Sequence, residues 1–234
     1  MILVTGATQG IGLECARALL ARTGLRVLIT GRSDAGLARA RARIPVSHQP
    51  RLLTRVCDQG NQADVEALGH FLACTAAPLD GAILTVGVNP AYAEGPRRIH
   101  ALTAETIDAT IRVNCTHMLL LTTALLARFW RQRAGVLIWV GSQGALAGLR
   151  GAGLYGATKS FLSGLAHAAH HEYADRGVRV HLLHPGLVRT PRTAAVADAF
   201  ASRHGIEVHE APDVAGSIVS RFLGEVTAAV EINL

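Results

Sequence analysis

The chain opens on an apolar run, Ile2–Thr5, that passes without a break into Thr5-Gly6-Ala7-Thr8-Gln9-Gly10-Ile11-Gly12. An apolar-periodic segment over residues 11–21 follows at once. Few folds accept a strand that turns through three glycines directly into a helix. Gly6 allows a tight turn, Gly10 lets the backbone come close to a ligand, and Gly12 permits close packing of helix on strand. The start of the helix then presents free N–H groups and a positive dipole end, which suit a pyrophosphate. Thr5, Gly6, Thr8, Gln9, Gly10, Ile11 and Gly12 are therefore candidate dinucleotide-binding residues.

The rest of the chain repeats the alternation. Strands are expected over residues 2–5, 25–30, 51–57, 81–86, 135–140, 178–183 and 228–232, and helices over 11–21, 35–43, 63–75, 103–131, 154–175 and 212–223. Short Val, Ile and Leu runs without polar alternation suit parallel strands covered on both faces. The expectation is an α/β fold: one Rossmann-type doubly wound domain over residues 1–234, with a seven-stranded parallel sheet flanked by helices. Half of the 234 residues are hydrophobic and 17% are charged, which supplies a large core. The apolar run over residues 118–127 is shorter than the ~20 residues that span a bilayer, so no membrane role is expected. Met1 to Gly6 reads as the first strand and not as a leader, which leads to an expected cytoplasmic location. Cys15, Cys57, Cys74 and Cys115 form no C-x-x-C pair and are read as buried free thiols.

Ligands of such sheets bind at the carboxyl ends of the strands. The second strand ends in Thr30-Gly31-Arg32-Ser33, where an acid would grip the hydroxyls of an NAD ribose. Arg32 and Ser33 suit a 2′-phosphate instead, and arginine can pair with it bidentately. NADP(H) is thus favoured over NAD(H). Asp58, after the third strand, is placed either to hydrogen-bond the adenine or to cap the next helix.

Tyr155-Gly156-Ala157-Thr158-Lys159 sets a phenol and an ammonium at i and i+4, on one helical face. A tyrosine with a pKa of about 10 is a poor acid or base at neutral pH, and a neighbouring cation is expected to lower that value. The chain has 22 arginines and one lysine, Lys159. That usage implies that a planar guanidinium will not serve at this place, whereas a compact ammonium will. Ser142, just after the fifth strand, can hold a substrate oxygen as charge develops on it. Asn114 lies within the long helix expected over residues 103–131, where asparagine is a poor helix former, and could order a water that links Lys159 to solvent.

With these motifs in order, the chain resembles the short-chain dehydrogenase/reductase family over essentially its whole length. The resemblance rests on Thr5 to Gly12, Asn114, Ser142, Tyr155, Lys159 and Pro185-Gly186-Leu187-Val188-Arg189-Thr190. It implies that Tyr155 is the general acid/base, Ser142 orients the substrate, Lys159 lowers the Tyr155 pKa and holds the cofactor ribose, and Asn114 supports a proton relay. It further implies that Pro185, Gly186, Val188 and Thr190 face the nicotinamide half of the cofactor. The family's Asn-Asn-Ala-Gly after the fourth strand reads Leu84-Thr85-Val86-Gly87 here, with Gly87 alone kept as a cofactor-side position. The activity implied is hydride transfer between NADP(H) and a carbonyl, alcohol or imine of a small molecule. The alternatives are a dinucleotide-binding regulator without turnover, or an epimerase or dehydratase that uses the cofactor transiently. A homodimer or homotetramer built on the helices of Asn114 and Tyr155 is also implied.

Residues 88–101, 143–151 and 191–205 are expected to line the substrate pocket, the last as a helical lid. The formal charge of +6 raises the question of nucleic acid, but the arginines are scattered and only 4% of residues are aromatic. Stacking platforms are scarce, so no nucleic-acid partner is expected. His167, His170 and His171 share a helix but lack further ligands apart from Glu172, and read as a surface or interface cluster and not a metal site.

Overall fold

The structure is a computed structural model that describes residues 1–226 and 230–234; the side chains at positions 196, 199, 200, 203 and 204 lie outside the description. In chain order the elements are β1 (Ile2–Thr5), α1 (Gly10–Arg22), β2 (Val27–Gly31), α2 (Asp34–Ala42), β3 (Leu52–Val56), α3 (Gln62–Cys74), β4 (Gly81–Leu84) and the single-turn α4 (Ala91–Glu94). Then follow α5 (Ala104–Ile111), α6 (Met118–Gln132), β5 (Gly135–Val140), the single-turn α7 (Gly144–Ala147), α8 (Gly153–Tyr173), β6 (Val178–His184) and β7 (Leu187–Arg189). The chain continues through α9 (Ala194–His204), β8 (Val208–Glu210), α10 (Ala211–Leu223) and β9 (Glu231–Asn233).

Among the described residues the strands form one seven-stranded sheet in the order β3-β2-β1-β4-β5-β6-β9, with every pairing parallel. Leu3 of β1 pairs with Leu28 on one side and Ala82 on the other. The strand order therefore reverses beside β1, and a crevice opens there at the carboxyl ends. Alternation along each strand feeds two cores. Ile2, Val4, Ile138 and Val140 pack with Leu13, Leu19 and Ile218 of α1 and α10. Leu3, Leu137 and Trp139 pack with Leu68, Leu125, Phe129 and Leu162 of α3, α6 and α8. Because both faces are covered, β1, β2, β4 and β5 are buried at every position, which is why their sequences lack polar alternation. Trp139 is fully buried, and its indole N–H donates to Thr122 Oγ1 at 3.3 Å.

The expected helix over 103–131 is present but not uniform. Between α5 and α6 the stretch Arg112–His117 takes the wider π-helical form. The whole span, Ala104–Gln132, is long and apolar enough to cross a membrane by length and composition, which the run over 118–127 alone is not. Its apolar side nevertheless lies against the sheet, with Leu121, Leu125 and Phe129 fully buried, as in a core helix. Elsewhere the elements agree with expectation to within a few residues. β2 begins at Val27 and not at residue 25, and Leu25 is left exposed. β4 ends at Leu84 because Thr85 turns into the crevice. The last strand runs over Glu231–Asn233; Ala228, at its expected start, lies outside the described residues. The segment 191–205 contains α9, and a small parallel pair, β7 with β8, flanks it. That pair, α4 and α7 carry no clear periodicity in the sequence.

Candidate active site

The glycine turn has the shape its sequence demands. Gly6 and Gly10 have φ of +62° and +57°, a left-handed conformation that favours glycine. A Cβ on Gly12 would lie 2.8 Å from the Gly6 carbonyl oxygen and 3.0 Å from Ala7 Cα, so only glycine lets α1 start this close to β1. Gln9 is the exposed N-cap of α1 and makes no side-chain cap, which leaves the first amides of the helix facing the crevice. Thr8 packs against Gly31, so the turn sits directly on the end of β2. Ile11 packs partly buried on the core of α1.

Thr5 departs from its expected role. It is fully buried, its hydroxyl accepts from Thr85 N at 3.2 Å, and its carbonyl accepts from Thr85 Oγ1 at 2.7 Å. Thr5 and Thr85 together tie β1 to the β4 loop, replacing the polar ties that an Asn-Asn pair would supply. Thr5 thus supports the glycine turn and its side chain does not face a ligand. Gly87 leaves room for Lys159: a Cβ there would lie 3.0 Å from Lys159 Nζ.

At the end of β2, Arg32 is exposed beside the crevice. Ser33 is the N-cap of α2, its hydroxyl oxygen accepting from Gly36 N at 3.2 Å. Asp58 is not a helix cap, since Asn61 holds that place on α3. Its carboxylate accepts from Gly60 N at 2.9 Å and braces the turn after β3.

The catalytic candidates converge from three elements. Tyr155 lies in the first turn of α8, and Lys159 one turn on is buried with Nζ donating to Val140 O at 2.9 Å. Ser142 follows β5, and its hydroxyl accepts from Gly144 N at 3.2 Å. The approach of α8 to this loop depends on Gly156, where a Cβ would stand 2.7 Å from Gly144 O. Sequence reading passed over Gly156, although its place inside Tyr155-Gly156-Ala157 was visible. Asn114 is buried in the π-helical stretch, a feature often found at functional sites. Its amide donates to Val88 O at 2.8 Å and Thr158 Oγ1 at 3.0 Å, while Oδ1 accepts from Val88 N at 2.8 Å. Asn114 thereby clamps the β4 loop to α8; both amide hydrogens are taken, so a water that it ordered would have to donate to Oδ1.

The electrostatics differ from expectation. Burial pushes the Tyr155 phenol up to about 12, nearby Tyr92 adds to the rise, and the Ser142 hydrogen bond and the Arg192 charge act against it. The expected lowering by Lys159 is not seen: Nζ lies 5.7 Å from the centre of the Tyr155 ring and points at the Val140 carbonyl. Lys159 itself is lowered to about 8, first by burial and then by Arg192. Arg192 was not singled out in the sequence. Its guanidinium crosses the crevice to donate to Gly87 O at 3.1 Å, between the β4 loop and the loop after β7.

Beyond β6, Pro185 is buried, and its carbonyl accepts from Gln143 N at 3.0 Å. The loop passes Gly186, where a Cβ would lie 3.1 Å from His209 Nε2, and brings Thr190 opposite Gly10, with Thr190 Cγ2 3.2 Å from where a Gly10 Cβ would be. Val188 is a correction: its side chain is buried in the core and its carbonyl accepts from Thr193 Oγ1 at 2.6 Å, so neither faces the crevice. A cleft beside Tyr155 is lined by Asn89, Pro90, Glu94, Arg97, Leu102, Gly151 and Leu154. Arg97 pairs with Glu94 at 3.5 Å. Of the histidines on α8, His167 Nε2 lies 3.2 Å from Glu231, and the rings of His170 and His171 meet edge to face.

A parallel sheet with a glycine cradle at its switch point, and a Ser-Tyr-Lys cluster at the same carboxyl ends, defines a dinucleotide-dependent oxidoreductase. The short chain dehydrogenase family model matches residues 1–200. The chain is 31% identical over 204 residues to dehydrogenase/reductase SDR family member 4 of Oryctolagus cuniculus, covering 87% of this chain and 76% of the relative. It is 30% identical over 215 residues to a Streptomyces coelicolor protein assigned by name as a ketoacyl reductase, covering 90% of this chain and 79% of that one. Among solved structures, a short-chain dehydrogenase from Sphingobium yanoikuyae in complex with NADPH superposes with a TM-score of 0.79 at 25% identity, covering 99% of this chain and 85% of that one. The chain belongs to the short-chain dehydrogenase/reductase family. It is an NAD(P)-dependent oxidoreductase that acts on small molecules.

Proposed function

We propose that the protein is an NADP(H)-dependent reductase of small-molecule carbonyls, with Tyr155 as its general acid/base. The observation that carries this reading is the convergence of Ser142, after β5, with Tyr155 and Lys159, on α8, at the carboxyl ends of the strands beside the glycine turn. A relative named as a ketoacyl reductase supports reduction over alcohol oxidation. Gly6, Gly10 and Gly12 with the start of α1 would hold the pyrophosphate, Arg32 and Ser33 the 2′-phosphate, and Asp58 the adenine. Lys159 and Gly87 would face the nicotinamide ribose, with Pro185, Gly186 and Thr190 beside the ring. The glycine turn, with Gly6 and Gly10 in the left-handed conformation and the N-cap of α1 making no side-chain bond to the first amides, fits such a group. When bound, NADPH supplies the hydride.

The residues do the rest. Ser142 donates to the substrate oxygen as negative charge grows on it, and Tyr155 delivers its proton to the same atom. The Arg192 charge favours the phenolate that forms, and Lys159, charged below about pH 8, stands one turn away to hold the ribose. Asn114 keeps the β4 loop and α8 at fixed distance. Ile107, Ile111 and Phe161 on the outer faces of α5 and α8 are exposed and suit a homodimer or homotetramer in the cytoplasm. A screen of ketones, aldehydes and imines with NADPH tests the function. Turnover that Tyr155→Phe lowers by about 10²–10⁴-fold, with cofactor binding kept, is expected. Undiminished turnover in Tyr155→Phe would remove Tyr155 from the acid role.

A further inference from the structure

His184 closes β6 directly beneath the active-site loop and is fully buried. Its Nδ1 lies 2.9 Å from Ser142 O and 3.2 Å from Ser142 N, and its Nε2 lies 2.7 Å from Glu231 Oε1. The ring stands where residue 141 would carry a side chain: a Cβ there would be 2.6 Å from Nδ1 and 2.8 Å from Cε1. The ring in this place thus requires glycine at 141, and the imidazole is pressed against the peptide that carries Ser142. With Nε2–H donating to Glu231, the neutral ring accepts from Ser142 N–H. The protonated ring donates instead to the Ser142 carbonyl. In either state the same residue is held.

Glu231 extends the contact to the catalytic helix. Its carboxylate accepts from Ser163 Oγ at 2.9 Å and meets His167 at 3.2 Å, and both residues lie on α8 with Tyr155 and Lys159. Burial pushes the Glu231 carboxyl up, and the hydrogen bonds from Ser163 and His184 more than reverse this, holding it below its ordinary value. Ser142 and Tyr155 stand on different elements, one after β5 and one on α8. Their separation must stay constant if both are to reach one substrate oxygen. On the crevice side the two elements are tied by Lys159 Nζ donating to Val140 O at 2.9 Å and Ser160 Oγ donating to Ala145 O at 2.8 Å.

We infer that His184 and Glu231 are positioning residues of the reaction: the chain Ser142 peptide–His184–Glu231–Ser163 fixes the Ser142 hydroxyl relative to Tyr155 from behind the site. The inference rests on the proposed reductase reading for its kinetic consequence, and on the contacts alone for its geometric one. Neither residue touches the crevice, so both act through Ser142.

The test is Glu231→Ala, a change at a partly exposed side chain, with His184→Ala beside it, each made with Ser142 present and in a Ser142→Ala background. Expected with Ser142 present is a fall in kcat of about 10- to 100-fold. In the Ser142→Ala background the same change should cost less than about twofold, because it acts on a group already removed. The NADPH Kd should stay within about twofold, and Glu231→Gln, which keeps an acceptor for Nε2–H, should restore most of the rate. Crystal structures of the variants should show Ser142 Oγ displaced from Tyr155 by more than about 0.5 Å, the tolerance of a working site. Equal losses in both backgrounds, or an unmoved Ser142, would overturn the inference. A wild type without turnover on any carbonyl would refute the reductase reading instead, and the displacement of Ser142 would then decide the inference by itself.

Discussion

Replacing Lys159 by Met should stabilise the protein while ending its turnover. Lys159 is 3% exposed and its ammonium is lowered to about 8 from the ordinary 10.5, by burial first and by Arg192 second. At about 1.4 kcal/mol per tenfold in the proton equilibrium, the buried charge costs about 3 kcal/mol at neutral pH. Methionine keeps the length of the stem without the charge, but it leaves Val140 O without the donor it has at 2.9 Å. That loss takes back about 1 kcal/mol, for a net gain of about 2 kcal/mol. The sign follows from the folded value lying below the unfolded one. Below about pH 8 the ammonium is charged in both states and its full cost is present in the fold. As pH rises from about 8 to 10.5 the folded protein sheds the proton first, and wild-type stability recovers. Urea unfolding at neutral pH and near pH 10 reads both terms, with m unchanged. The variant should be more stable at neutral pH and should lose most of that advantage at the higher pH. A variant less stable at neutral pH, or an advantage independent of pH, would refute the buried-charge account. The single lysine of the chain is then a place where stability yields to chemistry.

Other consequences follow from the same geometry. Lys159→Arg should be severely impaired although it keeps the charge, because a planar fork does not fit beside Gly87 and Val140 O; a near-normal rate would show that the compact ammonium is not required. Gly156→Ala places a methyl 2.7 Å from Gly144 O and should push α8 off the Ser142 loop; stability should fall by about 1–3 kcal/mol, and unchanged unfolding and kcat would show the contact to be slack. Arg32→Ala should weaken NADPH more than NADH by about 1.5–3 kcal/mol, and equal losses would take the 2′-phosphate away from Arg32. Arg192 lowers both Tyr155 and Lys159, so Arg192→Ala should move the alkaline limb of the reductive pH–rate profile upward; a downward move would contradict the charge coupling.

Much of this was legible in the sequence because it depends on local chemistry. The strand-turn-helix at Ile2–Thr5 and Gly10–Arg22 follows from glycines that only one backbone path requires. The buried strands announce themselves as unbroken aliphatic runs, and Tyr155 with Lys159 follows from helical spacing. What the sequence could not give is set by tertiary contact. Thr5 lies inside the glycine motif, yet its partner Thr85 lies just past the end of the neighbouring strand, and only pairing of β1 with β4 reveals that the two bond each other. Val188 lies in the short strand β7 and turns its side chain to the core. The Tyr155 pKa depends on burial and on Arg192, which arrives from residues far along the chain. The π-helical stretch at Asn114 was not read from the sequence, where a single helix over 103–131 was expected.

The most direct test of the central claim is a side-by-side titration of the purified protein with NADPH and NADH, following the nicotinamide fluorescence. The account predicts saturable binding of both with NADPH tighter by at least about tenfold, the least that a charged hydrogen bond to the 2′-phosphate would give. Equal or tighter binding of NADH would contradict the role of Arg32, and binding of neither would contradict the proposed reductase itself.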